Sequence, residues 1–146
     1  MRRRTILQPK CTICGGSIFT AGPNGRLTRD GLMPNCASCH SLERHRIMRS
    51  IWERITRLYP LSEFKCLQIA EDPDILPEWF GEYYLSVYGG KNSMDIQDIP
   101  LPDGALDVVV CNHVLEHVAK DGKAMQELMR NQSCPVINCC LPNLVA

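Results

Sequence analysis

Four cysteines near the N-terminus, Cys11, Cys14, Cys36 and Cys39, read as C-x2-C-x21-C-x2-C. Two Cys-x-x-Cys knuckles present four thiolates to one tetrahedral cation, and zinc is the ion that best suits an all-sulfur set. The gap between the pairs is slightly longer than in the usual zinc ribbon. Gly15 and Gly16 follow the first knuckle and permit the tight turn that brings backbone amides to the sulfurs. Between the knuckles, Ile18 to Leu32 carries Gly22, Pro23, Asn24, Gly25 and Gly31, which reads as a hairpin or loop hung on the metal rather than on a core.

The competing readings of these cysteines are ordinary buried thiols or two disulfides of a secreted domain. Arg2, Arg3 and Arg4 open the chain, but no apolar segment of a secretory leader follows them, and no stretch is long enough to span a membrane. A reducing, cytoplasmic setting is therefore expected. There Cys66, Cys111, Cys134, Cys139 and Cys140 would be free thiols, most of them small core residues in apolar runs.

The formal charge of zero conceals two halves of opposite sign. Met1 to Tyr59 holds 11 Lys/Arg against 3 Asp/Glu, a net of +8, and Pro60 to Ala146 holds 5 against 13, a net of −8. A basic half attracts nucleic acid or another anion, or docks on an acidic neighbour.

After Cys39 the pattern becomes helical. Ser41 suits an N-cap, Glu43 falls in the first turn, and Ile47, Met48, Ile51, Trp52, Ile55, Leu58 and Tyr59 recur at helical spacing until Pro60. A helix of roughly five turns is expected. Its other face carries Arg44, Arg46, Arg49, Arg54 and Arg57, a solvated face or a weak contact for an anion or nucleic acid. No aromatic residues interleave there to stack bases.

From Lys65 the signals alternate in an α/β manner. Cys66 to Ala70 reads as a buried strand, Ile75 to Gly81 as a short helix, Tyr83 to Tyr88 as a second strand, and Met94-Asp95-Ile96 offers a third, short one. Leu106 to Cys111, with Val108, Val109 and Val110, reads as a strand buried on both faces. Leu115 to Arg130 reads as helix with a break near Asp121-Gly122. Such alternation implies a parallel sheet that binds ligands at the carboxyl ends of its strands.

Met94 to Val118 runs M-D-I-Q-D-I-P-L-P-D-G-A-L-D-V-V-V-C-N-H-V-L-E-H-V. This segment resembles the centre of a class I S-adenosylmethionine-dependent methyltransferase, of the type 11 kind. Cys36 to Arg46, C-A-S-C-H-S-L-E-R-H-R, is similar to the zinc-finger prefix of a bacterial subgroup of those enzymes. The resemblance covers about Cys11 to Arg130. It implies a small zinc-ribbon module over 1–40, a connecting amphipathic helix over 41–60, a partial Rossmann-like methyltransferase domain over 61–130 and a divergent tail over 131–146. It also implies S-adenosylmethionine as cofactor beside a structural zinc. Leu67 to Pro73 would be the first strand and its turn, with Ala70 and Asp72 at the methionine end, whose ammonium pairs with a carboxylate. Asp95, with Ile96, would sit beside the adenine amine. Asn112 and His113 would stand at the mouth where cofactor and acceptor meet. The same resemblance leaves the methyl acceptor and any catalytic residue unspecified, and His113 and His117 fit a structural pair at a helix start equally well.

Three departures from the family pattern stand out. Glu71-Asp72-Pro73 replaces the glycine loop after the first strand, and Tyr88-Gly89-Gly90 stands where an acidic residue usually holds both ribose hydroxyls. At Asn131 the pattern is lost, which reads as a truncated or frameshifted product whose sheet stops after its fourth strand. An edge strand left open is an aggregation hazard, and Val136 to Leu141 is the segment that could cover it. His113-Val114-Leu115-Glu116-His117 also reads formally as the H-x-x-E-H zinc-peptidase signature, with only Asp121 and Glu127 left downstream as a further ligand. The reading of a different class is a zinc-ribbon interaction module whose α/β lobe is non-catalytic and whose Arg-rich helix binds protein or nucleic acid.

Overall fold

The computed structural model describes residues 10–133 and the backbone of a two-residue strand, Asn138–Cys139. The arginines at positions 2–4, the side chains of Cys134, Cys139 and Cys140, and most of the expected strand from Val136 to Leu141 lie outside the described residues. By their contacts the residues form two compact units, one reaching to Leu58 and including Pro73–Ile75, the other holding Tyr59–Asp72 and the chain from Leu76 onward.

In the first unit, β1 (Phe19–Thr20) pairs antiparallel with β2 (Asn35–Cys36), Phe19 opposite Cys36. The long connection between them holds a single 3-10 turn at Pro23–Gly25. Helix α1 (Glu43–Leu58) follows. Sixteen residues make it about 24 Å long. Its start is capped differently from the expectation. Ser41 is drawn away to the cysteines, and the Nδ1 of His45, one turn in, accepts the Leu42 N–H at 3.2 Å, the returning half of a capping box. The buried face of α1 consists of His45, Met48, Arg49 and Trp52. Ile47, Ile51 and Leu58, expected to face inward, are exposed. The seam is thus rotated from the one that hydrophobicity alone selects, because Arg49 finds buried carbonyl partners.

The second unit is a parallel sheet of β3 (Lys65–Ile69), β4 (Glu82–Ser86), β5 (Val108–Cys111) and β6 (Asn138–Cys139), in spatial order β4-β3-β5-β6. Leu67, Ile69, Val109 and Cys111 gather with Ile96, Ile99, Leu106, Ala124 and Leu128 into one apolar cluster. All four residues of β5 are buried, as expected of a continuous valine run in the middle of a parallel sheet. Helix α2 (Asp121–Arg130) buries Ala124 and Leu128, spaced i and i+4, against that cluster.

Several elements differ from their expected form. The helix foreseen from Leu115 is split: Leu115–His117 is a 3-10 turn, and extended backbone at Val118 ends it before α2. The short helix foreseen at Ile75 to Gly81 shrinks to a 3-10 turn at Pro77–Trp79, which the proline starts and too few residues sustain. Met94 to Ile96 forms no strand. Its chain is tied instead by the Met94 N–H to Ser86 Oγ at 2.9 Å, while Ile96 plugs the core. The sheet also does not end at β5. Leu106 bridges Gln132 in parallel, and β6 pairs with Val109 and Val110, so the edge of β5 is covered. Among the described residues no helix is long and apolar enough to cross a membrane.

Candidate functional site

The four cysteines of the two knuckles converge. Their sulfurs all lie within 4.8 Å of one another, with Cys11 Sγ to Cys39 Sγ and Cys14 Sγ to Cys36 Sγ both 3.6 Å. A tetrahedron of bonds of about 2.3 Å requires sulfurs about 3.8 Å apart, so the donor set fits a zinc ion. Four thiolates would leave no open coordination position on such an ion.

The knuckles repeat one local geometry. Gly15, at φ +76°, donates its N–H to the Cys11 carbonyl at 2.8 Å, and His40, at φ +56°, donates to the Cys36 carbonyl at 2.8 Å. In each, the residue after the second cysteine turns left-handed, a shape glycine takes without strain and histidine takes under constraint. Gly16 is required for another reason. A Cβ there would stand 2.8 Å from Ser38 Oγ and 3.3 Å from the sulfurs of Cys14 and Cys36.

Ser41, fully buried, places Oγ 3.3 Å from Cys11 Sγ and 3.2 Å from Cys39 Sγ. Arg46 donates to the Ser41 carbonyl at 2.6 Å and the Pro34 carbonyl at 2.9 Å, with its guanidinium 5.1 Å from the centre of the Phe19 ring. Together they tie α1 to the thiols and the hairpin. Burial pushes the Cys11 thiol up, but Ser41 and the backbone amides of Cys14 and Ile13 outweigh it and bring it down to about 6. Cys36 is also lowered: its burial acts upward, and the amides of Cys39 and Ser38 act more strongly downward. At Cys14 the Gly16 amide acts downward, yet proton sharing with Cys39, Cys36 and Cys11 leaves it pushed up to about 12. A bound cation would take over the stabilisation that these shared protons supply. Ser41 and Arg46 were not foreseen as neighbours of the metal. The available signal was a polar residue two positions after the second knuckle.

The other expected site residues lie along the carboxyl edge of the sheet. Ile69 and Cys111 are partners in register, so Ala70 and Asn112 leave adjacent strands at one level. The chain turns from β3 to β4 on one side and reaches β5 on the other, so this edge contains the point where strand order reverses. Both exits are left-handed without glycine: Ala70 has φ +66° and His113 φ +55°. Held strain of this kind gathers at functional sites. Gln68, Ser86 and Asn112 are buried polar residues beside these exits. Gln68 donates to the Ala70 carbonyl at 2.9 Å and accepts from Tyr83 Oη at 2.7 Å, and Asn112 Oδ1 is buried with no hydrogen-bond partner among the described residues.

Asp72 follows on the loop after β3 and is half-buried. Asp95 is exposed. Its Oδ1 accepts the Gln97 N–H at 2.8 Å and Gln97 Nε2 at 3.1 Å, which hold its carboxyl below the ordinary carboxylate range. Ile96 is buried in the core, leaving only its main chain for a ligand. His113 Nδ1 is 3.7 Å from Glu116. Among the described residues no group of three or more metal-binding side chains converges besides the four cysteines, so the H-x-x-E-H reading finds no third ligand there. Tyr88, two residues beyond β4, is 99% exposed. On the Arg-rich helix, Arg46 and Arg49 donate to backbone carbonyls, while Arg44, Arg54 and Arg57 are exposed.

Residues 87–131 match the family described as a methyltransferase domain. No curated protein and no solved structure was found to match the chain.

Proposed function

From the match of residues 87–131 to the methyltransferase-domain family, we propose that the carboxyl edge of the sheet binds S-adenosylmethionine for methyl transfer. The observation that carries this reading is Asn112. A buried amide oxygen without a donor costs about 1–3 kcal/mol, and here it stands at the switch point of a parallel sheet, between two strained non-glycine exits. A ligand N–H would relieve it. Ala70 and Asp72 are suited to the amino-acid end of the cofactor, Asp72 as partner of its ammonium. Asp95 would accept the adenine amine through Oδ2, since Oδ1 is held by Gln97. His113 would border the acceptor side.

The bound cofactor supplies a methyl group on a sulfonium, already a good leaving group, so the chain's own task is to align the acceptor and exclude water. No general base needs to be assigned. The ribose has no acidic anchor at Tyr88, which is consistent with modest affinity. The acceptor is not fixed by the fold.

Isothermal titration of the zinc-loaded chain with S-adenosylmethionine tests the reading. Saturable binding that is weakened in Asn112→Ala and Asp95→Ala supports it. A folded, zinc-loaded chain that takes up no heat of binding would sink it and favour the interaction module.

A further inference from the structure

Arg49 sits on the buried face of α1 and is only 8% exposed. A buried guanidinium is costly unless its donors are met. Here Nε donates to the Asp74 carbonyl at 2.9 Å and Nη2 to the Pro73 carbonyl, two successive main-chain acceptors that suit a planar fork and that the ammonium of lysine would match poorly. Asp74 and Ile75 are buried as well. Pro73–Ile75 thereby belong to the first unit, although they lie in the chain between β3 and β4 of the second.

The loop after β3 is therefore fixed at two points. At its start the Ala70 N–H bonds the Ser86 carbonyl at 2.9 Å, with φ +66°, and at its far end Arg49 holds Pro73 and Asp74. Only Glu71 and Asp72 lie between. A glycine loop would take its form from backbone permissiveness, but no glycine follows β3, so an outside clamp has to set this one. The clamp stands on α1, whose first turn is fixed to the thiols through Ser41 and Arg46.

We propose that Arg49 is a positioning residue that sets the Glu71–Asp72 segment for the ligand at the sheet edge, and that through it ligand affinity depends on occupancy of the metal centre. The inference rests on the cofactor reading above. Two sites joined by one ordered element share a coupling free energy, and here that element is α1 with the loop it holds.

Hydrogen exchange of residues 70–76 and titration with S-adenosylmethionine, both on the zinc-loaded full chain, test the inference. Arg49→Met is expected to raise exchange across 70–76 and to weaken cofactor binding about tenfold, or about 1.4 kcal/mol, without changing zinc content or the protection of β5. Arg49→Lys should fall between, and Arg54→Met, on an exposed part of the same helix, should change neither. Removing zinc from the unmodified chain with a chelator should raise exchange at 70–76, with little further rise in Arg49→Met. Unchanged exchange at 70–76 in Arg49→Met, or after zinc removal, overturns the proposal. So does raised exchange with unaltered cofactor affinity. If Arg49→Met loses β5 protection altogether, Arg49→Lys decides by the same criteria. If the unmodified chain binds no cofactor, the functional reading fails on its own, while the exchange measurements still decide whether the clamp exists.

Discussion

In the unit that holds the knuckles, two of the least exposed side chains are the thiols Cys11 and Cys36, and the groups bonded to them are polar: Ser41 at Cys11 and backbone amides at both. In the sheet unit the corresponding place is taken by Leu67, Val109 and Leu128, packed in an apolar cluster. The first arrangement suits directional bonds to a small centre, the second is ordered by area removed from water. The contrast teaches that neighbouring stretches of one chain can depend on different variables, metal activity in one and packing volume in the other.

The comparison can be broken most severely at the metal. Structural zinc contributes apparent free energies of about 10–16 kcal/mol in small modules, more than so small a unit can replace. Cys36→Ser, or chelation, is expected to abolish amide protection of β1, β2 and the start of α1 while β3 and β5 stay protected in hydrogen exchange. Equal loss in both units would show that they share one stabilising centre.

Leu128→Ala attacks the other side. It removes a fully buried side chain from the apolar cluster and should cost about 2–5 kcal/mol in urea unfolding, with zinc stoichiometry intact. A smaller effect is expected from Gly16→Ala, whose added methyl must displace Ser38 Oγ or two sulfurs. Overpacking of about 1–3 kcal/mol should appear as weaker zinc retention against a chromophoric chelator and leave sheet unfolding unchanged.

The smallest effect concerns acid. Hydrogen bonds from Arg130 at 2.7 and 3.1 Å hold the Glu127 carboxyl below its ordinary value. A group depressed in the folded state contributes stability above its unfolded pKa, about 4.3, and loses it as pH falls through the folded value. The urea midpoint of the sheet unit should therefore drop as pH is lowered below that value, and drop less steeply in Glu127→Gln.

What was legible in the sequence had its cause nearby in the chain. Two residues between cysteines bring two sulfurs to one ion wherever the segment sits, and Val108-Val109-Val110 is apolar on both faces whatever covers it. What was not legible depended on partners distant in sequence. Arg49 looks like one more cation on a solvated face until the carbonyls of Pro73 and Asp74 are set against it. Ser41 has the right identity for a helix cap, but the thiols compete for it. Ile96 reads as strand by composition, yet a bond from its neighbour Met94 to Ser86 and the pull of the apolar cluster place it in a plugged loop. At the carboxyl edge, the parallel sheet was legible as a class, but the left-handed exits at Ala70 and His113 were not, because alanine rarely takes a positive φ and histidine does so only in a minority of cases.

The connection from Thr20 to Asn35 is anchored at its two ends by the pairing of β1 with β2 and along its length by the Arg26–Glu43 ion pair at 2.7 Å and the Arg46 bond to the Pro34 carbonyl, and its tip is a local turn in which the Thr28 N–H bonds the Leu32 carbonyl at 2.9 Å. With both ends anchored beside the sulfurs, the entropy of closure rises only with the logarithm of length, about 0.6 kcal/mol for each doubling. Gly31 at the exposed tip is thus a place where a grafted epitope, a fluorescent label or a second small domain can be carried at little cost to the fold around the sulfurs, giving the molecule a handle on its exposed surface.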